Sequence, residues 1–149
     1  MTERSEFIAG ERPPGSRTAS RLSTERVTLA YDRNVVASEL SIEIPDEKVT
    51  AIVGPNACGK STLLRALARL LKPRAGHVVL DGQLIHQMPT KDVARRLGLL
   101  PQSPVTPDGI TVADLVARGR TPHQSWLRQW SREDEAAVRS ALTATGTAA

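Results

Sequence analysis

The stretch Gly54-Pro-Asn-Ala-Cys-Gly-Lys-Ser-Thr62 decides the fold of this chain. It fits the pattern Gly-x-x-x-x-Gly-Lys-[Ser/Thr] of a phosphate-binding loop. The apolar residues 49–53 before it predict a buried strand, and residues 63–71 after it have the apolar spacing of a helix. This strand–turn–helix context points backbone N–H groups and the positive end of a helix dipole into one concavity, which suits a phosphate group.

Each residue type in the loop suits a contact with a bound nucleoside triphosphate. Gly54 and Gly59 allow a close approach that a Cβ would prevent. We expect Lys60 to reach the β- and γ-phosphates and the Ser61 hydroxyl to bind Mg²⁺. A glycine-rich turn with an incidental lysine is the alternative, and the agreement of the motif with its flanks argues against it. The predicted nucleotide-binding residues are Gly54, Pro55, Asn56, Ala57, Cys58, Gly59, Lys60, Ser61 and Thr62.

Composition argues against a nucleic-acid partner. The net charge of +4 is spread along the chain, with 5 basic and 4 acidic groups in residues 1–26, 10 and 8 in residues 27–113, and 5 and 4 in residues 114–149. A nucleic-acid footprint would cluster these charges. The single cysteine, Cys58, allows no disulfide within the chain. No apolar run approaches the roughly 18 residues of a membrane span. We therefore expect a cytoplasmic protein.

The rest of the chain predicts a mixed α/β domain. Residues 1–24 are polar and predict a disordered leader, residues 25–103 a phosphate-loop core, and residues 104–149 the start of a helical subdomain. Within these segments we expect an antiparallel strand pair at 27–31 and 35–44, a hairpin turning on Asp81-Gly82, a helix from Thr90 to Arg96, a buried strand at 97–100, and capped helices beginning at Thr111 and Ser131.

Taken together, these residues resemble the ATP-binding subunits of ABC transporters, in their N-terminal portion. Tyr31 lies 23 residues before Gly54, where the family has an aromatic residue that stacks on adenine. Gln102 follows the predicted strand 97–100, where the family has its Q-loop glutamine. Residues 116–123 are similar to the iron–siderophore (enterobactin-type) importer branch. The resemblance covers residues 26–145 and implies the ABC ATPase version of the phosphate-loop α/β fold.

The resemblance also implies ligands and partners. ATP and Mg²⁺ are the implied cofactors, with Tyr31 at the adenine and with Ser61 and Gln102 at the metal. Gln102 is the one candidate catalytic residue, through Mg²⁺ or the attacking water. The implied partners are membrane permease subunits and, in a full-length form, a second ATP-binding subunit. Such a protein would couple ATP binding and hydrolysis to ferric siderophore uptake at the inner face of the cell membrane.

Three family motifs do not occur in these 149 residues: the Leu-Ser-Gly-Gly-Gln signature, the Asp-Glu that ends an apolar strand, and the switch histidine. We therefore expect a truncated chain that binds ATP with negligible hydrolysis and that folds poorly or aggregates alone. A nucleotide-binding fragment without a transport role remains an alternative, as does another phosphate-loop enzyme. A GTPase is disfavoured because Asn34 and Asn56 are the only asparagines and neither lies in an Asn-Lys-x-Asp motif.

Overall fold

The computed structural model describes residues 20–103, 107–124 and 130–147. The chain divides into two compact units, Met1–Met88 and Pro89–Ala149. Most of the predicted leader, residues 1–19, lies outside the described residues. The first strand begins at Leu22, so the last three residues of that leader, 22–24, belong to the sheet.

The first unit contains a four-stranded antiparallel sheet in the order β2-β1-β3-β4. Val27 pairs with Leu40 across β1 and β2, which confirms the predicted strand pair. Leu22 pairs with Leu80 across β1 and β3. The predicted hairpin is also confirmed, because Asp81 and Gly82 both have positive φ and connect β3 to β4. The strands are β1 Leu22–Tyr31, β2 Asn34–Ile44, β3 Ala75–Leu80 and β4 Gln83–Leu84.

Helix α1, Lys60–Leu67, begins directly after the glycine-rich loop and packs on β1. Its buried residues are adjacent or lie three or four positions apart, so they form one helix face: Thr62, Leu63, Ala66 and Leu67. This face shares a core with Val27, Leu29, Val78 and Ile85, which are almost completely buried. Each such side chain stabilises the fold by about 1.5–3 kcal/mol. The helix is shorter than predicted and ends at Leu67, two residues before Arg69 takes a positive φ.

The predicted strand at residues 49–53 is wrong. These residues have no regular structure, and the side chains of Val49 and Val53 are 100% and 84% exposed. A buried strand needs neighbours that satisfy its backbone N–H and C=O groups on both sides. No strand in the described part of the first unit pairs with this segment, so its apolar composition alone does not make it extended and buried.

The predicted strand at residues 97–100 is wrong for the same reason. Leu97 instead donates its N–H to Val93, which extends the last turn of a helix, and Leu100 is 88% exposed. In the described part of the second unit there is no strand with which it could pair.

The second unit contains short helices whose start sites follow the capping signals. The Thr111 hydroxyl accepts from the N–H of Asp114, and Ser131 and Asp134 form a complete capping box, as predicted. At the first helix Pro89 takes the cap position, so Thr90 is already helical. The elements are α2 Thr90–Ala94, α3 Val112–Ala117, a 3₁₀ segment Arg118–His123, and α4 Arg132–Ala144. Among the helices described, none combines the length and the apolar character needed to span a membrane.

Candidate functional site

The glycine-rich loop ends at the N-terminus of α1, where it leaves hydrogen-bond donors available. Gly59 is the cap residue and has no side chain that could accept from the first-turn N–H groups. Its carbonyl accepts the N–H of Leu63 at 2.9 Å, which closes the first helical turn. The N–H groups of that first turn have no intrahelical acceptor. No acidic residue lies in the turn either, so it can bind an anion with these donors and with the positive end of the dipole.

Lys60 folds back along its own loop. Its Nζ donates to the carbonyl oxygens of Gly54, at 2.8 Å, and Pro55, and it lies 3.8 Å from Cys58 Sγ. The two carbonyl acceptors are uncharged. A phosphate oxygen would give the same ammonium group charge-assisted hydrogen bonds, which are shorter and stronger. The position of Lys60 therefore fits a polyphosphate ligand.

The two loop glycines lie where another atom approaches closely. A Cβ added at Gly54 would lie 2.9 Å from Cys58 Sγ, and one added at Gly59 would lie 2.6 Å from Cγ1 of Val36 on β2. Gly59 also has a φ of +99°, which L side chains rarely adopt. Ala57 carries a positive φ of 65° within the same turn. The loop is therefore tightly folded, and β2 lies against its last glycine.

Tyr31 is the last residue of β1 and its side chain is partly exposed. Its hydroxyl oxygen accepts a hydrogen bond from Nη1 of Arg65, on α1, at 3.2 Å. The Arg65 guanidinium, through this hydrogen bond, holds the pKa of Tyr31 below its ordinary value, and the hydroxyl of Thr62 adds to the effect. The ring is thus attached through its hydroxyl to the helix that begins at the glycine-rich loop.

The two predicted metal contacts lie in different parts of the chain. Ser61 is the second residue of α1 and is exposed. Its hydroxyl can complete the shell of a Mg²⁺ ion that keeps several waters and binds phosphate oxygens. Gln102 is exposed and lies in the second unit, after residues 97–100. The structure therefore gathers residues 54–62 and Tyr31 around α1, whereas Gln102 belongs to the other unit.

Sequence reasoning missed two residues of this site, Arg65 and Val36. Both contact the predicted residues from distant positions in the chain. For Arg65 a signal existed, because it follows Thr62 by three positions and is therefore its neighbour on the surface of α1. For Val36 nothing in the local sequence indicated the contact with Gly59.

The sheet, the glycine-rich loop and α1 define a phosphate-loop α/β nucleotide-binding domain. The family model described as ABC transporter matches residues 37–148. The chain is 55% identical over 129 residues to the ferric enterobactin transport ATP-binding protein FepC of Escherichia coli (strain K12). The matched region covers 87% of this chain and 48% of FepC. It is 53% identical over 125 residues to the petrobactin import ATP-binding protein FpuD of Bacillus anthracis, covering 84% of this chain and 46% of FpuD.

Among solved structures, a bacterial Atm1-family ABC exporter with ATP bound superposes with a TM-score of 0.69 at 30% identity, covering 91% of this chain and 22% of the exporter. The chain belongs to the ABC transporter family, and its fold is that of the family's ATP-binding domain. It spans slightly less than half the length of FepC and of FpuD.

Proposed function

We propose that the chain binds ATP with Mg²⁺ at the glycine-rich loop. The observation that carries this proposal is the geometry around α1. The helix N-terminus has no side-chain cap, and the Lys60 ammonium group lies beside it. In the described part of the chain, the oxygen atoms that accept from this ammonium group are neutral backbone carbonyls. Residues 54–62 bind the triphosphate, Ser61 binds the metal, and the face of Tyr31 stacks on the adenine. Gln102 contacts Mg²⁺ or the attacking water in this proposal.

We further propose that the protein is the ATP-binding component of an importer for ferric siderophores. Support comes from the relatives, because FepC is named for ferric enterobactin transport and FpuD for petrobactin import. In this role it would bind membrane permease subunits at the inner face of the cell membrane and pair with a second ATP-binding subunit.

For the 149 residues themselves we propose ATP binding with negligible turnover. The sequence contains no Leu-Ser-Gly-Gly-Gln stretch, and its two Asp-Glu dipeptides, at 46–47 and 134–135, do not follow a run of consecutive apolar residues. Phosphoryl transfer depends on positioned groups that stabilise the charge of the transition state, and these segments supply them in the family that the chain resembles. Phosphate release from ATP above the level of a Lys60→Ala variant would contradict this part of the proposal.

The binding proposal is tested by calorimetric titration of the chain with Mg²⁺–ATP. Lys60→Ala should weaken binding at least tenfold, since a hydrogen-bonded charge contributes about 1.5–3 kcal/mol. Lys48→Ala is the matched control, because Lys48 is an exposed lysine of the same unit outside the loop. Equal affinities of Lys60→Ala and the unchanged chain would overturn the site assignment.

The adenine contact is tested with two ligands. Tyr31→Ala should weaken the binding of ATP, while inorganic tripolyphosphate, which has no base, should bind as it does to the unchanged chain. An equal loss for both ligands would argue against stacking and for a general disturbance of the loop.

A further inference from the structure

The tyrosine proposed to contact the base, Tyr31, accepts a hydrogen bond at its hydroxyl and is 40% exposed. Tyr31 ends β1, next to the two-residue turn into β2, so the backbone constrains it from one side only. Its hydroxyl oxygen accepts a hydrogen bond from Arg65 Nη1 at 3.2 Å. Arg65 is exposed and belongs to α1. This hydrogen bond therefore joins the hydroxyl end of the ring to α1.

This hydrogen bond limits the orientations that the Tyr31 ring can adopt. An exposed tyrosine at the end of a strand can rotate about two side-chain torsions. A hydrogen bond to the hydroxyl restricts both torsions, and it engages the edge of the ring rather than a π-face, the surface on which an aromatic ligand stacks. Because the donor, Arg65, lies on α1, the ring is held relative to the same helix whose N-terminus follows the phosphate-binding loop.

The hydrogen bond with Tyr31 is the polar contact that the described residues show for the Arg65 side chain. In the described part of the chain its side chain has no carboxylate partner, and the phenol oxygen is the side-chain acceptor that it contacts. It lies in the last turn of α1, where a positive charge interacts favourably with the helix dipole. A dipole role needs only a charge, whereas the contact with Tyr31 needs the reach and geometry of a guanidinium group.

We propose that Arg65 is a positioning residue for base recognition, because it fixes through the Tyr31 hydroxyl the orientation in which the ring stacks on the base of a nucleoside triphosphate. This inference rests on the proposed stacking role of Tyr31. Arg65 acts through the tyrosine in this proposal and does not itself contact the phosphates.

The test is a double-mutant cycle in the full chain, with Mg²⁺–ATP and inorganic tripolyphosphate as the two titrated ligands. Arg65→Met keeps the aliphatic stem and removes the donor, and Tyr31→Phe keeps the ring and removes the acceptor. Each should weaken ATP binding about three- to tenfold, the range expected for one hydrogen bond. The double variant should lose no more than either single variant, because both remove the same interaction. The affinity for tripolyphosphate should not change.

Two further variants separate positioning from a charge effect. Arg65→Lys keeps the charge near the end of the helix but shortens the reach, so it should behave like Arg65→Met. Arg74→Met removes an exposed arginine elsewhere in the same unit and should bind both ligands normally. Normal ATP affinity of Arg65→Lys, additive losses in the double variant, or equal losses for tripolyphosphate would each overturn the proposal.

A spectroscopic readout is available because Tyr31 is the only tyrosine in the chain. Its ionisation can be followed by ultraviolet absorbance without any ligand. Removing the donor in Arg65→Met should raise the pKa of Tyr31 towards its ordinary value. An unchanged titration curve would show that Arg65 does not hold the hydroxyl, and would overturn the proposal independently of binding.

The outcome for Tyr31→Ala separates this inference from the proposed function. If Tyr31→Ala weakens ATP binding but Arg65→Met does not, stacking stands and the positioning role fails. If Tyr31→Ala binds ATP like the unchanged chain, the stacking assignment fails and the positioning role fails with it.

Discussion

Gly59 and Val36 lie so close together that a Cβ added at Gly59 would be 2.6 Å from Val36 Cγ1. Strand β2 therefore limits which residue can end the phosphate-binding loop. The backbone of Gly59 imposes a second limit, because its φ is +99°. Steric contact and backbone conformation can be separated at this site, since the first depends on a side chain that can be shortened.

Gly59→Ala should weaken ATP binding at least tenfold, because both the contact and the backbone conformation disfavour the native loop. Strained backbone positions cost about 1–3 kcal/mol each. Adding Val36→Ala should recover part of the lost affinity by removing Cγ1, while the conformational cost remains. Calorimetric titration with Mg²⁺–ATP measures both effects, and Val36→Ala alone serves as the control. An affinity of Gly59→Ala equal to that of the unchanged chain would contradict the contact.

One glycine in β3 and one in the turn between β3 and β4 allow the same separation for stability. Gly76 and Gly82 have nearly equal φ values of 75° and 76°. A Cβ at Gly76 would overlap the carbonyl of Arg26, whereas at Gly82 it would meet nothing within 4 Å. Gly82→Ala should therefore lower the free energy of unfolding by about 1–2 kcal/mol, because the only disadvantage of the alanine is the left-handed backbone conformation.

Gly76→Ala should cost clearly more than Gly82→Ala, because the Arg26 backbone must move as well. Urea unfolding of the two variants under the same conditions measures the difference in the free energy of unfolding. Equal destabilisation of the two variants would show that the Arg26 backbone can move away from the added Cβ without lowering the free energy of unfolding.

The elements that the sequence predicted correctly are those with local signals. Asp81-Gly82 specifies its hairpin through positive φ at two adjacent residues, and Thr111 and Ser131 specify helix starts through hydrogen bonds over three positions. Each signal and its effect lie within a few residues. Such features depend little on the rest of the chain, which explains why they could be read directly.

The wrong predictions concern strands whose stability depends on distant partners. Residues 49–53 and 97–100 have the apolar composition of buried strands, but composition does not supply the neighbouring strands that satisfy their backbone groups. The candidate site shows the same division. Its loop was recognised from contiguous residues, whereas the Arg65–Tyr31 and Gly59–Val36 contacts join positions 34 and 23 residues apart.

The exposed apolar segments should make the chain prone to self-association. Val49 is fully exposed and Leu100 is 88% exposed. Exposed apolar surface favours association, because contact removes it from water. Val49→Ser and Leu100→Ser should reduce association, measured by sedimentation at increasing chain concentration, without lowering the unfolding temperature.

Val27→Ser is the matched contrast for this prediction. Val27 is completely buried, so its substitution should destabilise the fold by about 1–3 kcal/mol and should not reduce association. A chain that stays monomeric at all concentrations before any substitution would disprove the link between these segments and association.

The pH dependence of the second unit should centre on Asp134. The hydrogen bond with Arg120 Nε, at 2.8 Å, holds the pKa of this carboxyl below its ordinary value, and hydrogen bonds with Ser131 add to the effect. A carboxyl with a lowered pKa in the folded state contributes stability that is present above its unfolded pKa of about 3.9. That contribution is lost as the pH falls through the lower, folded value.

Asp134→Asn should therefore lower the unfolding temperature of α4 at neutral pH, and the difference from the unchanged chain should shrink at about pH 3 and below. Glu135→Gln is the matched control in the same helical turn, because Glu135 forms an exposed ion pair with Arg139. Such pairs contribute about 0–1 kcal/mol, so this control should differ little at any pH. Thermal unfolding followed by circular dichroism from about pH 2 to pH 7 measures all three chains. A constant difference in unfolding temperature between Asp134→Asn and the unchanged chain across this range would contradict a stabilising role of the lowered pKa of Asp134. The reason is that stability depends on pH only where a pKa differs between the folded and unfolded states.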